Sequence, residues 1–157
     1  MKNTLCASIV LLLACILSPA ATANDASVFV GEWTINTAKT LEAGKKSPKY
    51  NPDDQAIFEK VVNRMAKALK LKVTPQKMIY LQNGKEIKVP YTVTQSTKTK
   101  MVAQTSIQDK QVTITFTLID GEWMNMKSSG TDDMDYYIWQ RAEKNKAKQE
   151  ANEEASS

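Results

Sequence analysis

The chain of 157 residues contains no histidine. That absence removes the usual zinc, copper and haem ligand sets. It also removes Ser-His and Cys-His nucleophile pairs, together with the side chain best suited to proton transfer near neutral pH. Cysteine is nearly absent as well. Cys6 and Cys15 are the only two, and both fall within the first 23 residues. The rest of the chain has no thiol for a disulfide and must hold together by packing. Strong charge of either sign is missing: 21 Lys and Arg stand against 17 Asp and Glu, spread along the chain. A formal net charge of +4 on such a pattern does not point to nucleic acid. What remains open chemically is carboxylate or lysine chemistry.

The N-terminus reads as an address. Lys2 supplies a positive start, Leu5 to Leu17 is an uncharged apolar run, and Pro19 breaks any helix there. Ala21-Thr22-Ala23 offers small residues where a signal peptidase reads them, so cleavage is expected after Ala23. The apolar run is shorter than the ~18–20 residues a membrane-spanning helix needs. A rival reading is a lipobox, Leu12-Leu13-Ala14-Cys15, with a lipid-modified Cys15 anchoring the chain to a membrane. Against it stand the bulky Leu13 and the apolar Ile16-Leu17 where a polar tether is usual. Cleavage after Ala23 removes one charge, Lys2, and leaves a periplasmic or secreted chain with a net charge of +3.

Residues 24–142 carry the pattern of one β-rich domain, and 143–157 that of a charged, mobile tail with no apolar stripe. Gly31-Glu32-Trp33 lies in the first expected strand, Val28 to Asn36, and a near copy, Gly121-Glu122-Trp123, enters a strand near the other end. Thr37 to Ala43 suits a short helix stopping at Gly44. Asn51-Pro52-Asp53-Asp54 is a helix start: a capping side chain, a proline at the first helical position, and two acids at the positive end of the dipole. The amphipathic helix is expected over 52–72, with Ile57, Val61, Met65 and Leu69 as its apolar stripe, widened by Phe58 and Val62.

After Thr74-Pro75 the period changes to two. Strands are expected at Met78 to Gln82, Ile87 to Thr94, Lys100 to Gln108, Gln111 to Ile119, Glu122 to Lys127 and Tyr136 to Arg141. Asn83-Gly84 and Asp120-Gly121 are tight-turn pairs. Pro90 cannot donate to a ladder and marks an edge or a bulge. Three carboxylates in Thr131-Asp132-Asp133-Met134-Asp135 lack the spacing of a known calcium loop, and the stretch reads as a solvated turn.

Gly31 and Trp33 in the opening strand, a strand-rich middle and Arg141 closing the last strand together resemble the lipocalin-like, or calycin, barrels, and among them a group of small exported bacterial proteins. The resemblance covers about residues 28 to 142. It implies an antiparallel meander closing into a barrel of about seven to eight strands. It also implies structural roles: the tryptophan at the closed end with the arginine lying across it. The chain departs from the larger lipocalins in placing its helix after the first strand rather than before the last.

A barrel of about eight strands can hold one small ligand. Met78, Tyr80, Tyr91, Met101, Phe116, Met124, Met126 and Tyr136 are the candidate lining residues; the competing reading is that they fill a solid core. The leading functional expectation is a non-enzymatic binding protein for a small apolar ligand or an envelope lipid. It calls for no cofactor, no metal and no catalytic residues. The second is a protein-interaction module, such as an inhibitor or immunity protein. An enzyme built on carboxylates and lysines ranks third.

Overall fold

Pairs of residues with positive φ set the corners of the sheet. Asn83 and Gly84, at φ 51° and 79°, and Asp120 and Gly121, at 52° and 70°, turn where the sequence places its tight-turn pairs. Gln108 and Asp109 make a third such corner at 50° and 62° without a glycine. The computed structural model describes residues 25–130 and 135–142. The expected signal segment 1–23 with Cys15, residue 24, residues 131–134 of the expected solvated turn and the expected tail 143–157 lie outside the described residues.

In chain order, the elements are β1 (Gly31–Ile35), α1 (Thr37–Lys45), α2 (Gln55–Ala68), β2 (Leu69–Val73), β3 (Lys77–Gln82) and β4 (Lys85–Pro90). Then come β5 (Thr92–Ser96), β6 (Lys100–Ile107), β7 (Lys110–Ile119), β8 (Trp123–Ser128) and β9 (Ile138–Arg141). The strands form one sheet in the spatial order β4-β3-β2-β1-β9-β8-β7-β6-β5, and every neighbouring pair is antiparallel. The order is a meander in chain sequence, closed between β9 and β1 and interrupted only between β4 and β5. It is a nearly closed antiparallel barrel.

Nine strands replace the expected seven to eight, for two reasons. The first is β2. The helix ends at Ala68 rather than near residue 72, and Leu69 is already extended at φ −117°. Leu69, Leu71 and Val73 are buried while Lys70 and Lys72 face out, and Lys72 pairs with Glu32 across the strands at 3.1 Å. The second is a break at Tyr91. The antiparallel pairings make β4 and β5 run the same way, so they are successive halves of one extended stretch. The first half pairs with β3 and the second with β6. At the break the two sheet ends touch. The Thr105 hydroxyl donates to the Pro90 carbonyl at 2.6 Å, and the Tyr91 N–H donates to the Gln76 carbonyl at 3.0 Å. Pro90 thus ends an edge strand, where its missing N–H costs no ladder bond.

The first strand also starts later than expected. Ala26–Phe29 form a 3-10 turn rather than strand, and Phe29 is fully buried. The helix start follows its capping chemistry: the Asn51 side chain accepts from the Asp53 N–H at 3.2 Å, and a 3-10 turn at Pro52–Asp54 leads into α2. The buried side of α2 is Val62 with half-buried Phe58 and Met65. Ile57 and Val61, expected on the packed stripe, are 64% and 44% exposed.

Candidate functional site

The pairings assign the barrel two ends. At one end lie the start of β1, the β2–β3 connection and the end of β9. Here Arg141 sits directly opposite Trp33 in the ladder, its guanidinium 4.6 Å from the indole centroid. The same guanidinium donates to the carbonyls of Val28 at 2.6 Å and Val30 at 3.1 Å. The Trp33 indole N–H donates to the Phe29 carbonyl at 2.9 Å. Gly31, at φ +144°, brings the backbone under this group; a Cβ there would lie 2.7 Å from the Arg141 Nη1. A cation over an indole and three hydrogen bonds tie the N-terminal turn, β1 and β9 together and shut this end.

Between the ends, the alternating strands bury one face. Met78, Met101, Phe116 and Met124 are each 1% exposed or less, so almost none of their surface is open to a water-sized sphere. Tyr91 and Met126 are also buried, and Tyr80 and Tyr136 are half-buried against the same cluster. The Tyr80 hydroxyl lies between two thioethers, 3.7 Å from Met78 Sδ and 3.6 Å from Met126 Sδ. With only weak acceptors there, burial pushes its pKa up to about 12. The Trp139 indole N–H is buried in this core with no acceptor among the described residues.

At the other end the barrel meets its helices. The strand pairings bring the β3–β4 and β6–β7 turns, the start of β9 and the α1/α2 segment to this end. The site is built on aromatic contacts. Phe58 packs edge-on against Tyr50 at 5.8 Å and against Tyr136 at 5.6 Å, and Tyr136 stacks on Tyr137 at 4.8 Å. Phe58 can come this close to α1 because Gly44 has no side chain: a Cβ there would fall 2.2 Å from Phe58 Cζ. Gly44, Tyr50, Phe58 and Tyr136, with Ser47, Lys49, Asn51, Asp54 and Ile57, line an open groove of about 570 Å³. A smaller recess of about 310 Å³ shares Ser47, Lys49 and Tyr136 and adds Lys46, Lys127 and Asp135. One Asp135 carboxylate oxygen is buried there without a hydrogen bond from the described residues. On the far side of this end, Ile87 and Ile107 lie on the inward face of their strands, opposite or in phase with buried residues. They are nonetheless 51% and 45% exposed, at the seam where β4 has no ladder to β5 or β6.

Of the expected lining residues, only Tyr136 reaches the groove. Met78, Tyr80, Tyr91, Met101, Phe116, Met124 and Met126 lie together inside the barrel. Sequence reasoning missed Tyr50, Phe58 and Gly44 as a unit. Its one visible signal was an aromatic, Phe58, beside an amphipathic stripe.

Among the described residues, no group of three or more His, Cys, Asp or Glu side chains converges. Among the described residues, the one carboxyl moved clearly from its ordinary pKa is Glu42, held low by a hydrogen bond and charge from Lys46 and by charge from Lys39, on an exposed helix face. No protein-family model and no curated protein sequence matches the chain.

Proposed function

We propose that this chain is an exported, non-enzymatic binding protein of lipocalin-like type, and that its ligand is a small apolar molecule or an envelope lipid. The observation that carries the reading is the groove at the helical end. Its volume of about 570 Å³ falls in the ~300–1,000 Å³ range of small-ligand sites. Its walls are Tyr50, Phe58, Tyr136 and the exposed Ile57, and Lys49 stands at its rim with Lys46 and Lys127 in the adjoining recess. Aromatic walls beside lysines suit a ligand with an apolar body and an anionic head. The pattern of residues 1–23 supports export, with lipidation at Cys15 as the other route to the envelope. A second reading, a protein-interaction module, draws on the unpaired outer edge of β4 and the exposed Ile87 and Ile107 beside it.

Native mass spectrometry of the processed protein from its own host, followed by organic extraction, tests the first reading. The expected result is a bound mass that extracts as lipid and is lost in Tyr50→Ser/Ile57→Ser. A clean apo mass sinks tight carriage and moves the case to the β4 edge, to be tested by pull-down with Ile87→Lys as the control.

A further inference from the structure

The exposed side of α2 has a composition that neither the core nor the groove explains. Ile57, Lys60, Val61, Arg64 and Lys67 recur at intervals of three and four, so they share one face of the helix. All five are exposed; Ile57 and Val61 are two of the four large hydrophobic residues exposed among the described residues. Among the described residues, Lys60, Arg64 and Lys67 make no ion pair. The only acid within α2, Glu59, lies on another face and is bonded to Gln55 at 2.8 Å. Asp53 and Asp54 precede the helix and lie at its end. The face is thus an apolar strip with three cations along one side of it, and Ile57 belongs both to it and to the groove.

A core-packed helix has no use for isoleucine and valine in water, and a purely solvated face would not set them beside three cations. An anionic bilayer surface matches both parts. A helix lying in the interface sets its apolar residues among the acyl chains and its cations at the headgroups. We propose that this face of α2 docks the protein on anionic phospholipid membranes, with the mouth of the groove held at the bilayer. The docking rests on the lipid-binding reading for its purpose only. Membrane attachment and groove occupancy are read by separate measurements, so either can fail alone.

Two apolar side chains make a weak anchor, so attachment depends on the cations and weakens with salt. The test is co-sedimentation of the processed protein with vesicles of mixed phosphatidylglycerol and phosphatidylcholine, and with phosphatidylcholine alone. Binding is expected to the anionic vesicles only. Lys60→Gln/Arg64→Gln/Lys67→Gln should lower partitioning about 100-fold, at roughly fivefold per cation. Ile57→Ser/Val61→Ser should lower it at least ~10-fold. The control Lys98→Gln/Lys100→Gln/Lys110→Gln makes the same charge change in the β5–β6 turn and at the first residues of β6 and β7, and should leave binding close to that of the parent. All the substituted residues are exposed, so melting temperatures should stay unchanged, which separates lost binding from lost fold. Absence of sedimentation with anionic vesicles overturns the proposal, as does an equal loss in the control. So does sedimentation velocity showing a dimer that Ile57→Ser/Val61→Ser converts to monomer, because the face then serves a second copy of the chain.

Discussion

Replacing Arg141 by methionine isolates what shuts the barrel. The substitution keeps a long apolar stem and removes the guanidinium. Three interactions go with it: the cation over Trp33 at 4.6 Å and the hydrogen bonds to the Val28 and Val30 carbonyls at 2.6 and 3.1 Å. A cation on an indole contributes about 1 kcal/mol when half-buried. Each hydrogen bond from a charged donor contributes up to ~3 kcal/mol in a dry site, and about 1 kcal/mol where water reaches the group, as it does here. The loss should therefore be about 3 kcal/mol, lowering the melting temperature by roughly 10 °C for a domain of this size. Urea unfolding followed by tryptophan fluorescence reads it directly. Arg141→Lys should fall between, because an ammonium keeps the charge but cannot fork to two carbonyls. A double-mutant cycle with Trp33→Phe should show a coupling of about 1 kcal/mol. If Arg141→Met stays within 0.5 kcal/mol of the parent, a margin set by ordinary surface substitutions at about that size, the guanidinium does not hold this end shut and the reasoning fails.

Three further outcomes follow from the same contacts. Gly44→Ala in α1 should destabilise by about 1–2 kcal/mol, the overpacking cost, although alanine would raise helix propensity by up to ~1 kcal/mol. The new Cβ would fall 2.2 Å from Phe58 Cζ, so a thermal melt that rises instead would show that the ring moves freely. Thr105→Val should cost about 1 kcal/mol by removing the donor to the Pro90 carbonyl, and should speed hydrogen exchange at the start of β5, as read by NMR. Burial pushes the pKa values of Tyr80 and Tyr91 up to about 12, and the Tyr91 hydroxyl donates to the Thr74 carbonyl. The folded state therefore favours the neutral phenols. Their contribution is whole below the unfolded value of ~10 and is lost as pH rises through the folded value of about 12. Urea midpoints should hold level to about pH 10 and then fall, less steeply in Tyr91→Phe; a midpoint unchanged at pH 11 would contradict this.

The strands were legible wherever one face is buried and the other wet. Gln111 to Ile119 alternates without a fault, and β7 spans Lys110–Ile119. Legibility failed where two periods fit the same letters. Leu69 continues a spacing of four from Met65 and also begins the alternation Leu69-Lys70-Leu71-Lys72-Val73. Tertiary pairing decides between them, because β1 offers Lys70 to Val73 a ladder that a longer helix would leave open. Val28 and Val30 deceived in the same way. Their alternation suggests a strand, yet Phe29 between them is the residue that goes into the core. Its backbone instead curls so that its carbonyl meets the Trp33 indole.

The groove was harder to read, for a reason that bears on where function sits. Its parts come from three separated places: Gly44 in α1, Tyr50 to Phe58 around the start of α2, and Tyr136 before β9. No local period links them; only the meander's return to β1 brings Tyr136 onto Phe58. The stripe of α2 was legible but read too wide on one side. The helix buries Phe58, Val62 and Met65 and turns Ile57 and Val61 outward. Had α2 evolved only to cap the barrel, a polar pair at 57 and 61 would have served as well. Their exposure beside Lys60, Arg64 and Lys67 therefore points outward from the fold. The end held by Arg141 is fully spent on closure, whereas the helical end keeps apolar surface in water, and surplus of that kind is what a binding face requires.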